Sequence, residues 1–152
     1  MKRPPLLLLD TSVVLSALLS DRGGSSGIFD LAGVGLIHIA ITEAIALEAH
    51  AKVQQKFGVS EVVGLRSLLT TFKSAIKPSP VLSDLKKYNH LIIDQNDRHI
   101  LAGAVNYGVD YLITLDKKHF FTEKLERADL GFIIRTPGEF LKEFREQFES
   151  NG

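Results

Sequence analysis

The chain has 152 residues, the length of one ordinary domain with room for a hydrophobic core. Hydrophobic residues make up 45% and charged residues 24%, proportions that exclude wholesale disorder. Lysine plus arginine and aspartate plus glutamate both total 18, so no overall charge draws the protein to nucleic acid or to an anionic membrane. We therefore expect a single domain over residues 1–152, in which any contact with nucleic acid comes from a local site.

The sequence contains no cysteine, which excludes disulfides, thiolate metal sites and a cysteine nucleophile and fits the reducing cytoplasm. The first residues, MKRPPLLLLDTS, have basic residues followed by leucines, as a signal peptide does. However, Pro4 and Pro5 interrupt the basic region, and Asp10 divides the apolar stretch into short pieces. No apolar stretch is long enough to cross a bilayer. We therefore expect a mature cytoplasmic protein without a membrane segment.

The first half of the chain alternates short apolar runs with helix-like segments. Residues 6–9 (LLLL) predict a buried strand, and residues 12–19 predict a helix with Thr11 or Ser12 near its cap. The glycines and serines of residues 20–27 (SDRGGSSG) are typical of a flexible loop. The later elements predicted in this half are a short helix at 28–32, a strand at 36–40, a helix capped by Thr42 and ending near 57, and a helix capped by Ser60 and ending near 73.

The pattern becomes clearer towards the end of the chain. A turn is predicted at residues 78–80 (PSP), and a strand or a short helix near residues 90–93. Residues 94–108 (DQNDRHILAGAVNYG) predict a helix that Gly108 ends. Residues 111–114 (YLIT) then predict a buried strand.

The last elements complete the alternation. Asp116 and a short helix follow the strand, and residues 131–136 (GFIIRT) predict a final strand. Thr136, Pro137 and Glu139 have the pattern of a capping box with proline in the first turn, which predicts the last helix. Helices that alternate with short, continuously apolar strands predict an α/β fold with a parallel sheet.

Two aspartates follow predicted strands. Asp10 comes after residues 6–9, and Asp116 comes after residues 111–114. Ligands bind at the carboxyl edge of open α/β sheets, so the two carboxylates are expected to share one crevice. The alternative is that each aspartate only caps the helix that follows it.

Glu48 lies on an otherwise apolar face of a predicted helix. Ala44, Leu47, Glu48 and Ala51 fall on one face of the predicted helix, whereas Glu43 lies elsewhere on the wheel. A buried glutamate needs a partner, which indicates a function for Glu48. The alternative is a glutamate at the edge of the stripe that reaches water.

Asp97 precedes Ile100 and Leu101 by about one turn, which places it on the core side of its helix. Asp94 or Asn96 is available to cap that helix, although Asp94 and Asp97 together also resemble a cap pair. Asp110 lies before its strand, at the opposite end of the sheet from Asp116, and is interpreted as structural.

Several carboxylates in one crevice would repel one another and raise one another's pKa. A divalent cation removes this penalty, and Mg²⁺ or Mn²⁺ accepts a site made of oxygen ligands. Zinc is a poor candidate because there is no cysteine and no paired-histidine spacing. An ion held in this way activates water and stabilises the charge of a phosphoryl displacement.

The motifs occur in an order that is typical of a known family. The segments LLLLDTSVVLSALLS, ITEAIALEAHAKV and DQNDRHILAGAVNYGVDYLITLDKKHF resemble the ordered motifs of PIN-domain ribonucleases. The closing TPGEFLKEF is similar to the tail of the toxin-like bacterial and archaeal subgroup. The resemblance spans nearly the whole chain and implies a Rossmann-like, three-layer α/β/α sandwich with a mostly parallel central sheet.

The resemblance also implies a function: cleavage of single-stranded RNA with Mg²⁺ or Mn²⁺ by a homodimer, in many members a toxin held inactive by an antitoxin. The acids that would bind the ion are Asp10, Glu48, Asp97 and Asp116, with Glu43 as a rival for the role of Glu48. The hydroxyl groups that would orient the acids or the substrate phosphate are those of Thr11, Ser12 and Thr114.

Outside the acids, His99 and His119 lie close enough in sequence to touch a phosphate, but each is predicted to be a surface residue. Loop residues such as Arg22 and Arg98 are candidates for RNA contacts. The apolar residues Phe140, Leu141, Phe144 and Phe148 recur at helical spacing and predict core or dimer packing.

Two other functions remain open. One is an aspartyl-phosphate phosphatase with Asp10 as the nucleophile, although such enzymes usually have a second aspartate where this chain has Ser12. The other is a catalytically silent module that binds RNA or protein. A binding module would have little reason to cluster like charges, which favours the nuclease.

Overall fold

A computed structural model describes residues 3–92 and 94–151 of the protein. The strands are β1 (Leu6–Leu9), β2 (His38–Thr42), β3 (Ile76–Lys77), β4 (Tyr111–Ile113) and β5 (Ile133–Arg135). The helices are α1 (Thr11–Leu19), α2 (Gly24–Gly33), α3 (Glu43–Lys56), α4 (Val59–Thr71), α5 (Leu82–Lys86), α6 (Gln95–Asn106), α7 (Lys117–Phe120), α8 (Glu123–Arg127) and α9 (Pro137–Asn151). No helix within the described ranges combines the length and apolarity that crossing a membrane requires.

The strands form one five-stranded sheet in the order β3-β2-β1-β4-β5. All of its pairings are parallel. The central strand β1 pairs with β2 on one side and with β4 on the other. Leu7, Leu8 and Leu9 are fully buried, as a strand covered on both faces requires. The strand order reverses beside β1, so the switch point of the sheet lies between the carboxyl ends of β1 and β4.

Helices cover the sheet to give the three-layer α/β/α sandwich that the sequence predicted. In one layer α1 packs against α2, α3 and α4, and α2 packs against α9. Elsewhere α5 packs against α6, and α6 approaches the sheet closely at Gly103. A Cβ at Gly103 would lie 3.2 Å from Cγ2 of Thr42, so glycine permits this approach.

The prediction of a flexible loop over residues 20–27 is wrong in its second half, because α2 begins at Gly24. Gly24 allows the start of α2 to pack closely against the start of α9. A Cβ on Gly24 would lie 3.2 Å from the backbone nitrogen of Gly138 at the start of α9. The hydroxyl of Ser26 donates a hydrogen bond to the carbonyl of Ser20, which orders the preceding turn. Contact with a helix more than a hundred residues away therefore decides this segment.

Three predicted helix ends are confirmed, at Thr42, Thr136 and Gly108. Thr42 caps α3, since its Oγ1 accepts a hydrogen bond from the Ile45 nitrogen at 3.2 Å. The capping box of α9 is present: the Thr136 nitrogen donates to Oε1 of Glu139 at 2.9 Å, and the Glu139 nitrogen donates to Oγ1 of Thr136 at 3.2 Å. Gly108 has a φ of +59°, the left-handed conformation expected after a helix end.

Several boundaries differ from the predicted ones. Strand β2 begins two residues later than predicted, at His38, because the buried pairing with β1 begins there. Gly58 precedes α4 in the capping position, while the predicted cap Ser60 bonds instead to the Glu61 carboxylate. The two-residue strand β3 and the short helices α5 and α8 were not predicted.

The strand or short helix expected near residues 90–93 is a turn at His90 and Leu91. Ile93 lies outside the described residues.

Candidate metal centre

Asp10 points into the switch-point crevice. It occupies the capping position of α1, but its carboxylate makes no side-chain capping hydrogen bond to the described part of that helix. Its Oδ2 instead accepts hydrogen bonds from Oγ1 of Thr114 at 2.7 Å and from Oγ of Ser12 at 3.0 Å. Burial raises the pKa of this 6%-exposed residue, and these hydroxyl bonds oppose the rise. The alternative that Asp10 is simply a cap is therefore not supported.

Two hydroxyl groups connect the ends of β1 and β4. Thr114 is fully buried, and its Oγ1 donates to Asp10 while accepting a hydrogen bond from the Asp116 nitrogen at 3.0 Å. Ser12 does the same from the other side, since its Oγ donates to Asp10 and accepts from the Leu115 nitrogen at 3.2 Å. The two hydroxyls thus hold Asp10 and the Asp116 loop in fixed relative positions.

Glu48 adjoins this group through α1 and is held on both sides. Its Oε2 accepts a hydrogen bond from Oγ1 of Thr11 at 2.8 Å, and its Oε1 lies 3.1 Å from Nζ of Lys52. The side chain is 31% exposed. The charge of Glu48 also contributes to the raised pKa of Asp10, so the two carboxylates act on each other across the crevice.

The face of α3 that packs on the core is not the one predicted. Ile45, Ala49 and Val53 are buried, whereas Leu47, which shared the predicted stripe with Glu48, is 72% exposed. Glu48 therefore flanks the buried stripe and reaches the crevice from its edge. The predicted stripe was wrong because two overlapping apolar patterns occur on this helix, and only packing against the sheet selects one.

Among the described residues, Asp97, Asp116 and His119 form a grouping of possible metal ligands. One carboxylate oxygen from each aspartate and a ring nitrogen of the histidine all lie within 4.8 Å of one another. Nδ1 of His119 is 2.7 Å from Oδ2 of Asp116 and 3.5 Å from Oδ2 of Asp97. Asp116 also caps α7, because its Oδ1 accepts a hydrogen bond from the His119 nitrogen at 3.2 Å. Asp116 therefore caps α7 through Oδ1 and belongs to the cluster through Oδ2.

The carboxylate of Asp97 has a strongly raised pKa. Burial is the largest cause, and together with the charges of Asp94, Asp116 and Asp10, which His119 opposes, it raises the pKa from 3.8 to about 6. Its Oδ2 is buried and has no hydrogen-bond partner among the described residues. Asp94 caps α6 by accepting from the Asn96 nitrogen at 2.9 Å, so Asp97 is not needed as a cap.

Of the two histidines predicted to be surface residues, His119 is exposed as predicted and His99 is not. The side chain of His119 is 44% exposed but contacts two aspartates, and its bond to Asp116 raises its pKa. His99 is half-buried, burial lowers its pKa, and its Nδ1 has no partner within the described chain. The spacing Asp116-x-x-His119 across a helix start was the available signal, since it places the ring beside the capping carboxylate.

Glu43 and Asp110, two other acids considered from the sequence, lie away from the crevice. Glu43 is exposed and lies near Tyr107, at the other end of α6 from Asp97, so Glu48 is the glutamate at the crevice. Asp110 pairs with Arg3 at 2.9 Å and accepts from the Leu6 nitrogen, consistent with a structural role at the opposite edge of the sheet. Arg98 was predicted as a loop residue, which is wrong, because it lies in the first turn of α6; its Nε donates to the Ile92 carbonyl.

A hard divalent cation fits this donor set. The buried Oδ2 of Asp97 makes no hydrogen bond within the described residues and belongs to the same grouping as the Asp116 carboxylate, and a cation would compensate the charge that helps to raise its pKa. Fold and site together define the class: a parallel α/β domain with an acidic, cation-compatible crevice at the switch point of its sheet.

The model of the PIN domain family matches residues 7–118. The chain belongs to the PIN domain family. No curated protein matches it in sequence.

Solved structures share the fold at low sequence identity. FitAcB from Neisseria gonorrhoeae is 19% identical with a TM-score of 0.61, and the match covers 86% of this chain and 97% of that one. VapBC2 from Rickettsia felis, bound to a DNA fragment from its promoter, is 18% identical with a TM-score of 0.58 over 86% and 98% of the two chains. PAE2754 from Pyrobaculum aerophilum is 18% identical with a TM-score of 0.56 over 86% and 83%.

Proposed function

We propose that the protein is a metal-dependent endoribonuclease that hydrolyses phosphodiester bonds of single-stranded RNA. The observation that carries this proposal is the meeting of carboxylates at the switch point, where a buried oxygen of Asp97 makes no hydrogen bond within the described residues. Membership of the PIN domain family supports it. We further propose that residues 1–152 act as one nuclease domain.

Four acids would hold Mg²⁺ or Mn²⁺ in this proposal: Asp10, Glu48, Asp97 and Asp116. When bound, the ion supplies Lewis-acid activation of water and stabilisation of phosphoryl charge. Thr114 and Ser12 orient Asp10 through their hydroxyl groups. Thr11 orients Glu48 in the same way. Because hydrogen bonds already hold Asp10 and Glu48 in place, these two acids require little reorganisation when substrate binds.

RNA binding would depend on local positive charge, since the chain has no net charge. Lys52 lies beside Glu48, and the exposed Lys117 and Lys118 follow Asp116 directly. Arg22 is also exposed. Lys52, Lys117 and Lys118 adjoin proposed ligands and would contact the phosphates near the bond that is cleaved, whereas Arg22 lies beyond the far end of α1 and would contact RNA farther away.

We propose that the protein is the toxin of a cytoplasmic toxin–antitoxin pair and forms a homodimer. The toxin-like tail supports this, as do the structural neighbours FitAcB and VapBC2. On α9, Phe140 is buried in the core while Phe148 is 60% exposed, which leaves an apolar surface for a partner.

The test is cleavage of a fluorescently labelled, unstructured RNA by the purified protein. We expect cleavage with Mn²⁺ or Mg²⁺ that EDTA stops. Asp10→Asn and Glu48→Gln should reduce the rate by roughly two orders of magnitude, because each removes a proposed ion ligand. Glu43→Gln, on the same helix as Glu48 but away from the crevice, is the matched control and should leave the rate unchanged.

Other outcomes would replace the proposal. If the wild-type protein binds the RNA but cleaves nothing in the presence of either ion, it is a binding module. If it instead forms a metal-dependent phosphoenzyme on Asp10, it is a phosphatase.

A further inference from the structure

His119 lies at the cluster, where its Nδ1 is hydrogen-bonded to Asp116; a bound ion would take the place of the proton in this bond. Its Nδ1 faces Oδ2 of both Asp97 and Asp116, at 3.5 Å and 2.7 Å. Neighbouring ligands of an octahedral ion at 2.0–2.1 Å are separated by about 3 Å. The two observed separations lie on either side of that value, so the nitrogen is placed as a third donor would be.

The fold holds the ring there. His119 belongs to the single turn of α7, whose first residue follows the capping carboxylate of Asp116. The backbone nitrogen of His119 donates to Oδ1 of Asp116, and the next residue, Phe120, is buried in the core at 1% exposure. Backbone and core thus fix α7, and the imidazole is directed to the carboxylates from a short, anchored helix.

We propose that His119 is a nitrogen ligand of the divalent ion and that it makes the site prefer Mn²⁺ to Mg²⁺. This inference rests on the proposed function, because it concerns the ion of that same site. Imidazole is a good ligand for first-row transition metals, whereas Mg²⁺ selects carboxylate, carbonyl and water oxygens. A set of oxygen ligands alone would discriminate little between the two ions.

His99 is the other histidine near the acids, and it is less well placed. The charges of Glu48 and Asp10 act on its ring, but its buried Nδ1 contacts no polar partner among the described residues. His119, in contrast, contacts two carboxylates at once. The geometry therefore favours His119 as the nitrogen donor, and His99 serves as a control for it.

The test measures ion binding in the absence of RNA. In a nitrogen-free buffer, pulsed electron paramagnetic resonance of Mn²⁺ bound to the wild-type protein should show ¹⁴N coupling. His119→Asn should abolish that coupling and weaken Mn²⁺ binding by roughly 10–100-fold, while Mg²⁺ binding, measured by displacement, should change less than about threefold. His90→Asn, at an exposed turn, is the matched control and should keep both the coupling and the affinity.

The absence of Mn²⁺ binding, or bound Mn²⁺ without ¹⁴N coupling, would overturn the inference. So would ¹⁴N coupling that survives in His119→Asn and disappears in His99→Asn. Equal losses of Mg²⁺ and Mn²⁺ affinity in His119→Asn would contradict the preference for Mn²⁺. The nuclease proposal is judged separately, by RNA cleavage. Coupling to His119 without cleavage would support the ligand and contradict the nuclease, and cleavage without coupling would do the reverse.

Discussion

Asp97 combines burial with like-charged neighbours. Its side chain is 14% exposed, and the charges of Asp94, Asp116 and Asp10 act on it together with burial. The pKa of about 6 means that, without a cation, the folded protein holds a proton on Asp97 at a pH where an ordinary aspartate has lost it. The burial of this carboxylate therefore costs stability at neutral pH, a cost that the proposed cation would offset.

This arrangement predicts an unusual dependence of stability on pH. Because the pKa is 3.8 in the unfolded chain and about 6 in the folded one, the folded state binds more protons in that window. Below pH 3.8 the stabilisation from this proton is fully present. The free energy of unfolding then falls as the pH rises from 3.8 to about 6. After allowance for solvent screening the loss is on the order of 1–2 kcal/mol.

Urea unfolding in EDTA at about pH 4 and about pH 7 measures this loss. Asp97→Asn has no carboxylate to titrate, so its stability relative to wild type should increase between the two conditions. Asp30→Asn, which changes an exposed carboxylate on α2, should track the wild type. A constant difference between Asp97→Asn and wild type at both pH values would contradict the assignment.

Among the elements, α2 shows how a distant contact overrides local composition. Its first residues read as a loop, yet they form a helix whose start lies against the start of α9. Gly24 allows that approach, because its Cα faces the backbone nitrogen of Gly138 and the ring of Pro137. Local chain preference alone would not order this segment.

Gly24→Val should destabilise the protein by about 1–3 kcal/mol, because even a Cβ there would lie 3.2 Å from the Gly138 backbone and the branched methyl groups add further overlap. Gly33→Val is the matched control on the same helix, since nothing lies within 4 Å of a Cβ at that position. Chemical unfolding of the two variants makes the comparison. Equal stability would show that α2 and α9 do not approach as described.

For the whole molecule, ion binding and folding should be linked. The proposed site joins residues from β1, α3, α6 and the β4–α7 loop, so an ion that needs them together binds only the folded chain. At a hundred times its dissociation constant, Mn²⁺ should raise the free energy of unfolding by about 2.7 kcal/mol. For a chain of this size that corresponds to a rise in Tm of roughly 5–10 °C.

Calorimetry with and without Mn²⁺ measures this shift, and Asp97→Asn should remove most of it. Glu43→Gln should retain it, since that carboxylate lies away from the crevice. A Tm that Mn²⁺ raises equally in wild type and Asp97→Asn would show that the ion binds elsewhere.

The positions of the acids were largely predictable because they depend on local pattern. A buried strand followed by an aspartate occurs at Asp10 and again at Asp116, and parallel strands bring both to one edge of the sheet. Asp97 was predictable from the first turn of α6. Glu48 was predicted from a stripe that the packing of α3 does not use, so its place at the crevice depended on the family resemblance.

The alternating elements, most of their caps and the parallel α/β class follow from the sequence, because periodicity, capping and strand length act between residues close together in the chain. The start of α2, the buried face of α3 and the approach of His119 to Asp97 follow from the tertiary structure. These depend on contacts between distant segments, such as Gly24 with Gly138 across 114 positions of the chain. A linear pattern does not specify such contacts, since they follow from how helices pack on the sheet.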